Sequence, residues 1–485
     1  MGTRVLNALA KQKRTRSAPA LGLCLLSSSV FLLLAIPERY RDVVFLAGAL
    51  FGCALAFYDF ARIWRFFLLI LPLVHTIGSL FGLAQLSVVR LVLVGTTVVL
   101  LLLSREVTGH WRIVPNEPGL VGFLLFVAAN LFSAVHTLNY ESVFRTITYL
   151  EPALFFILTY QVVRRDSGNM RQVVRIVALG GVVVCLLGFV EMKAQRPVFD
   201  LLGIHLPGFA EDLSGYLEVD RFGLGGRITS TIGQPVYAGI YFVIWLVACA
   251  GYIVIYRPAY RSLLFLLAPI GGVLILATGS RAPLFALPPA VIALVLISRS
   301  KGRTAVRVGL GLAMLSVTIN LAAPTAFGYL RESLSGEYSP ATANVLARLD
   351  LTNRLLAIFW EHPVFGYGPG LIQKAAIQGS PDFVGLGGLE NQYAVILADG
   401  GILAGGAYLL FMIATLWSLL RLRFSRSREV RQGALMMLLL FMFYFVVTAS
   451  VTSITQLTTS LLMTLLGALG ARAANDRDER VLARG

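Results

Sequence analysis

The stretch that decides how this chain is read runs NRLLAIFWEHPVFGYGPG at 353–370 and, after a short polar gap, LENQYAVILADGG at 389–401. It is the longest hydrophilic interruption in a sequence otherwise built of membrane-length apolar runs. It brings Arg354, Trp360, His362, Pro363, Gly366, Gly368 and Gly370, then Glu390, Asn391, Gln392 and Tyr393, to a place beside a bilayer. There a cation, an aromatic and a carboxylate meet without burial in hydrocarbon.

Outward from that stretch, 57% of the 485 residues are apolar and only 14% are charged, with a mean hydropathy of +0.77. In soluble domains about a quarter of residues are charged, so the composition describes a polytopic membrane protein. A net charge of +16 points to nucleic acid in a soluble chain, but here Lys and Arg lie mainly in short links between apolar runs, where they orient helices. This argues against a nucleic-acid partner. Cys24, Cys53, Cys185 and Cys249 all lie inside apolar segments without CxxC or Cys/His spacing, so neither a disulfide nor a zinc site is expected. The basic N-terminus and the apolar run from Ala18 imitate a signal peptide, but the run ends in IPERY without a small-residue cleavage site and reads as a retained first helix.

Charged clusters cut the sequence into apolar segments near 18–36, 43–58, 66–86, 88–103, 119–137, 146–163, 176–191, 236–256, 262–278, 282–298, 308–326, 400–420, 432–449 and 456–471. None alternates with period 2, and helices satisfy their own backbone groups in lipid, so the fold class is an all-α polytopic membrane protein with about 12–14 transmembrane helices. A transmembrane barrel is excluded. With both termini in the cytoplasm, 28 of the 41 Lys and Arg fall in inner links and 11 in outer ones, as the positive-inside rule requires. Arg90 and Arg145 read as helix starts. The long connections 192–235 and 327–399 then face the periplasm as a partly helical cap, between transmembrane groups at 1–191, 236–326 and 400–485. In ATANVLARLDLTNRLLAIFW the near-helical spacing of Val345, Leu349, Leu356 and Phe359 suggests a surface helix.

Four constellations carry chemistry. In GGRITSTIGQPVYAG, 225–239, the first long loop re-enters the membrane, with Arg227 and the Thr229-Ser230-Thr231 hydroxyls at the outer face and Pro235 suited to open a helix. The segment also reads as an interfacial Arg with Ser/Thr capping. In ATGSRAPLFALPP, 277–289, a tight Gly279-Ser280 turn holds Arg281 on the side where basic residues are disfavoured, which implies an anionic partner. The run at 353–370 adds Arg354, with Arg348 before it and His362 after it; FGYGPG lacks the strand and helix context of a nucleotide-binding glycine loop. His362 before Pro363 also reads as a turn residue. In LENQYAVILADGG, Glu390 and Asp399 bracket a helix start, Glu390 reading either as a dipole-favoured carboxylate or as part of a sugar-binding edge with Asn391, Gln392 and Tyr393. Inside the apolar runs, Glu151-Pro152 and His75 are the main ionisable positions, and Glu151 is close enough in sequence to pair with Arg145. Ser/His/Asp nucleophile motifs, HExxH, EF-hand loops and Asp-rich metal motifs are absent.

Taken together, RITSTIGQPVYAG, TGSRA, the R-x5-W-x-HP-x-FGYGPG run at 354–370 and ENQYAVILADGGI at 390–402 resemble the O-antigen ligase and polymerase (Wzy-type) superfamily of bacterial membrane glycosyltransferases. The resemblance covers about 220 to 410 closely and the whole chain in hydropathy layout. It implies transfer of a glycan from an undecaprenyl-pyrophosphate carrier to a glycan or lipid-core acceptor hydroxyl, without metal or other cofactor, on the periplasmic side of the inner membrane. Carried onto this sequence, Arg227, Arg281 and Arg354 hold the pyrophosphate, Glu390 is the catalytic residue, Asn391, Gln392 and Tyr393 are candidate acceptor contacts, and His362, Arg348, Glu151 and Asp399 are secondary candidates. The family's ligases usually have His where this sequence has Glu390; a carboxylate also serves as a base, and the change shifts weight from a lipid A-core ligase towards a polysaccharide polymerase. The rival class is a lipid-linked oligosaccharide flippase or other polysaccharide transporter, whose charges belong along a mid-membrane cavity rather than at one face.

Overall fold

The computed structural model describes residues 61–62, 64–69, 71–72, 117–166, 168–201, 227–232, 235–259, 261–280, 283, 340–377, 391–447 and 457–482. The chain divides into two units, residues 1–111 and 112–485. In the first, the described residues between 61 and 72 are helical, with Arg65 Nε donating to the Ala61 carbonyl at 2.9 Å and the Trp64 and Phe67 rings 5.5 Å apart.

The second unit contains α1 (Pro118–His136), α2 (Tyr140–Thr148), α3 (Leu150–Arg165), α4 (Gly168–Ala194), α5 (Val198–Leu201), α6 (Pro235–Tyr256), α7 (Arg261–Ala277), α8 (Pro340–Glu361), α9 (Leu371–Ile377), α10 (Gln392–Leu422), α11 (Arg428–Val447) and α12 (Leu457–Leu482), with a 3-10 turn at Ser230–Ile232. No strand occurs among the described residues. Among the described residues, seven stretches are long and apolar enough to cross a membrane: α1, the 140–165 stretch formed by α2 and α3, α4, α6, α10, α11 and α12. The expected segments at 119–137, 146–163, 176–191, 236–256, 262–278, 400–420, 432–449 and 456–471 all coincide with helices, and Pro235 opens α6. Those at 18–36, 43–58, 88–103, 282–298 and 308–326 lie outside the described residues apart from residue 283, as do His75, Cys24 and Cys53.

Small residues let these helices approach closely, as packing in lipid demands. A Cβ on Gly122 of α1 would stand 2.7 Å from the Phe411 backbone of α10, and one on Gly467 of α12 would stand 2.5 Å from the Phe156 carbonyl oxygen of α3. The Trp245 ring of α6 fills the groove over Gly181 of α4, and its indole N–H donates to the Ala178 carbonyl at 2.8 Å.

These pairings sort the helix ends. At one end Arg164 pairs with Asp478 at 2.8 Å, and Arg472 pairs with Glu429, which also accepts from the Tyr256 hydroxyl. Burial pushes the Glu117 carboxyl there above its ordinary value, against the pull of Arg477 and Arg164. The opposite end gathers the 136–149 connection, the 227–232 segment, the turn after α7 and the start of α10. Above that end α8, α9 and the first two turns of α10 share a small core of Leu355, Ile372, Ala394, Val395 and Ala398, with Leu351, Ile358 and Tyr367 packed against it.

Two sequence expectations change here. Leu349 is 56% exposed, whereas Leu355 is fully buried, because α8 turns its 351–355–358 face onto α9 and α10. Arg145 does not start a helix: the chain bends at Tyr149, and Arg145 lies in the last turn of α2, where a cation suits the helix dipole.

Candidate functional site

The site-bearing end is built around an interruption in α10. The Asn391 side chain caps that helix, accepting from the amides of Tyr393 and Ala394 at 3.1 and 3.2 Å. Two turns later Gly401, at φ 64° and ψ −165°, leaves helical geometry. A continuous helix would pair the Ile402 amide with the Ala398 carbonyl. Instead Ile402 donates to the Pro363 carbonyl at 2.8 Å, and Ala398 accepts from the Tyr367 amide at 2.8 Å. The Asp399 carbonyl accepts from the Gly368 amide at 2.8 Å and from the Ser133 hydroxyl of α1 at 3.0 Å. The HPVFGYGPG turn is thus wedged into the broken helix, and each satisfies the backbone groups the other leaves open, a condition for irregular backbone at membrane depth.

The glycines are needed for this approach. A Cβ on Gly366 would lie 2.4 Å from the Asp399 carbonyl carbon, and one on Gly401 would lie 2.2 Å from the Val364 oxygen; both residues have positive φ. Asp399 itself is 3% exposed. Its Oδ2 accepts from the Gly370 amide at 3.0 Å, and its Oδ1 has no hydrogen-bond partner. Arg145 acts on it electrostatically, and hydrogen-bonds Tyr149 and, at 3.1 Å, the Gln373 side chain of α9. The suggested partner Glu151 is buried in the first turn of α3. His136 stacks on Phe365 with ring centroids 4.6 Å apart.

The second assembly joins two of the sequence constellations. Arg227 is buried and lies on the Thr278-Gly279-Ser280 turn, its Nε donating to the Thr278 carbonyl at 2.8 Å and its Nη2 to the Ser280 hydroxyl at 3.2 Å. Ile228 donates its amide to the Ala277 carbonyl at 3.0 Å. Glu191, near the end of α4 and 2% exposed, holds this segment from below. Its Oε1 accepts from the Thr229 amide at 2.6 Å and hydroxyl at 3.1 Å, and its Oε2 from the Val198 amide at 3.3 Å. Sequence reasoning missed Glu191 because EMKAQR reads as an ordinary polar helix end.

Arg281 and Glu390 lie outside the described residues, although Ser280 and Asn391 beside them are placed. Arg348 and Arg354 are half-buried on α8, which packs on α10, and His362 is exposed with its ring 5.8 Å from Tyr367. Gln392 is buried, and the Tyr393 hydroxyl donates to the Phe445 carbonyl at 2.6 Å. Among the described residues no cluster of three metal-ligating side chains occurs.

The fold and these two assemblies define a multi-pass membrane protein with polar machinery concentrated at one end of its bundle. Residues 263–409 match the family model described as O-antigen ligase, and over that stretch the resemblance drawn from the motifs is borne out. The matched residues run from α7 through the break in α10, taking in Arg281, Arg354, Glu390 and Asp399 but not Arg227, Glu191 or Arg145. No curated protein matches the chain.

Proposed function

We propose that the chain moves a glycan from an undecaprenyl-pyrophosphate carrier to an acceptor hydroxyl, as a polysaccharide or O-antigen polymerase or ligase of the bacterial inner membrane with its site facing the periplasm. The observation that carries this reading is the seating of the Arg227 guanidinium on the turn that leads directly into Arg281, at the bundle end where basic residues are few. A guanidinium held on the side that disfavours basic residues suits a pyrophosphate, because guanidinium binds phosphate oxygens in pairs.

On this reading Arg227, Arg281 and Arg354 hold the pyrophosphate and balance the charge that develops on it as it leaves, with no metal required. The acceptor oxygen attacks the anomeric carbon, the bond from that carbon to the phosphate oxygen breaks, and its electron pair departs with undecaprenyl pyrophosphate. The acceptor proton passes to Glu390, and the anomeric configuration inverts. Asn391, Gln392 and Tyr393 stand beside Glu390 as the acceptor edge. The connections 192–235 and 327–399 cover the sugar and exclude water, while the apolar bundle holds the polyprenyl tail.

The test is the purified chain in lipid nanodiscs with an undecaprenyl-pyrophosphate-linked oligosaccharide and an acceptor glycan. Formation of the longer glycan with release of undecaprenyl pyrophosphate supports the proposal; an intact donor carried across a vesicle bilayer without transfer makes the chain a transporter instead. Reporter fusions at 340 and 425 test the sidedness, and a cytoplasmic signal at 340 would put the site on the wrong side.

A further inference from the structure

We infer that Arg145 is a further phosphate-binding residue, contacting the oxyanion of a phosphate-bearing lipid; resting on the reading above, that lipid is the undecaprenyl-pyrophosphate donor. Arg145 lies in the last turn of α2 at the same end of the bundle as the Arg227 assembly and the wedged turn.

Three observations about its setting carry the inference. Its charge is uncompensated at short range: the hydrogen-bond partners of its guanidinium, Gln373 and Tyr149, are neutral, and no carboxylate of the described residues comes within ion-pair distance of it. At the same end, Lys374 of α9 instead pairs with Glu141. The one carboxylate acting on it at longer range, Asp399, is buried and has its Oδ2 on the Gly370 amide.

The side chain is also exposed and yet held. Gln373 fixes one Nη, and the aliphatic stem lies against Gly370, where a Cβ would come 3.1 Å from Arg145 Cγ and φ is 79°. A long side chain fixed before a ligand arrives loses less entropy on binding. Finally, the guanidinium carries five N–H donors. Those beyond the Gln373 and Tyr149 bonds can take two oxygens of one phosphate.

The experiment uses the full chain in phosphatidylcholine nanodiscs, titrated with undecaprenyl pyrophosphate lacking any glycan, beside the transfer assay with the glycan-linked donor. Arg145→Gln is expected to weaken undecaprenyl pyrophosphate binding roughly tenfold to a hundredfold and to raise the donor KM alike, with kcat within about twofold. Arg145→Lys keeps the charge and the stem on Gly370 but loses the planar fork; it should recover part of the binding, and it carries the test if the Gln variant is unstable. Wild-type binding in both variants overturns the inference. So does a loss confined to phosphatidylglycerol nanodiscs with undecaprenyl pyrophosphate binding intact, since the arginine would then serve a lipid headgroup. If the wild type binds undecaprenyl pyrophosphate and Arg145→Gln weakens it, while no glycan is transferred by either, the phosphate contact stands and the transferase reading falls.

Discussion

Ile402 donates its amide to the carbonyl of Pro363 at 2.8 Å, and so regains the hydrogen bond that the break at Gly401 takes from α10. The turn carrying His362 and the helix that begins beside Glu390 are therefore one mechanical object. A shift of either would expose unpaired backbone groups near the bilayer, where each costs several kcal/mol.

Gly401→Ala places a Cβ against the Val364 oxygen at a positive φ, so a loss of about 3 kcal/mol or more is expected. Gly406, helical with nothing within 4 Å of its Cβ position, is the control: Ala there should be neutral or gain about 0.5–1 kcal/mol. Thermal unfolding in detergent compares the two, and equal melting temperatures would remove the wedge from the account.

Asp399→Asn keeps an oxygen for the Gly370 amide and removes a buried charge, so it is expected to fold within about 1 kcal/mol of wild type. Asp399→Ala leaves that amide without its partner and should lose about 1–3 kcal/mol. An equal loss in the two variants would mean that the charge, through Arg145, matters more than the amide.

Glu191→Ala takes the acceptor from Thr229 and Val198 and frees the segment that carries Arg227. Transfer activity should drop at least tenfold, on the order of one to two lost charge-assisted bonds, although Glu191 lies beneath that segment and is assigned no contact with substrate. Proteolysis in the 192–235 connection should quicken in parallel; unchanged cleavage and unchanged activity would make Glu191 dispensable.

Arg227→Lys keeps the charge but cannot span both the Thr278 carbonyl and the Ser280 hydroxyl. Activity is expected to fall roughly tenfold to a hundredfold, with protein levels preserved. Full activity in the Lys variant would mean that only the charge counts.

Glu117 predicts a pH effect at the other end. Its folded carboxyl holds the proton more tightly than the unfolded chain does at the ordinary 4.5, so its contribution is full below that pH and is lost as pH rises through the folded value. Glu117→Gln, which has no proton to lose, should show a flatter melting temperature as pH rises above 4.5.

Much of the fold was legible because lipid imposes a simple rule. Long apolar runs become helices, Pro235 opens one and Thr278-Gly279-Ser280 closes another, so the spans follow from residue type alone. The break at 399–401 was not legible, because Asp-Gly-Gly inside an apolar run is tolerated only when distant backbone arrives to complete it, and no local pattern announces Pro363 and Tyr367 as that partner. The buried face of α8 was legible only in part: the helix forms and Phe359 is buried, but Leu349 and Leu355 are equally apolar, and only the direction from which α9 and α10 approach decides which is buried. Arg227 could be singled out from its sequence, but its seat on the turn before Arg281 could not, since the two segments are distant in sequence and are joined by hydrogen bonds that no local pattern announces.

The cap core has an implication for how this chain tolerates changes in length. The chain leaves that core after Ile372 and Ala375 in α9 and returns to it at Ala394 and Val395 in α10, so both doorposts of the intervening excursion are anchored independently of what lies between them. The two walls of that core, α9 and α10, therefore hold each other by side-chain packing whatever the length of chain that joins them.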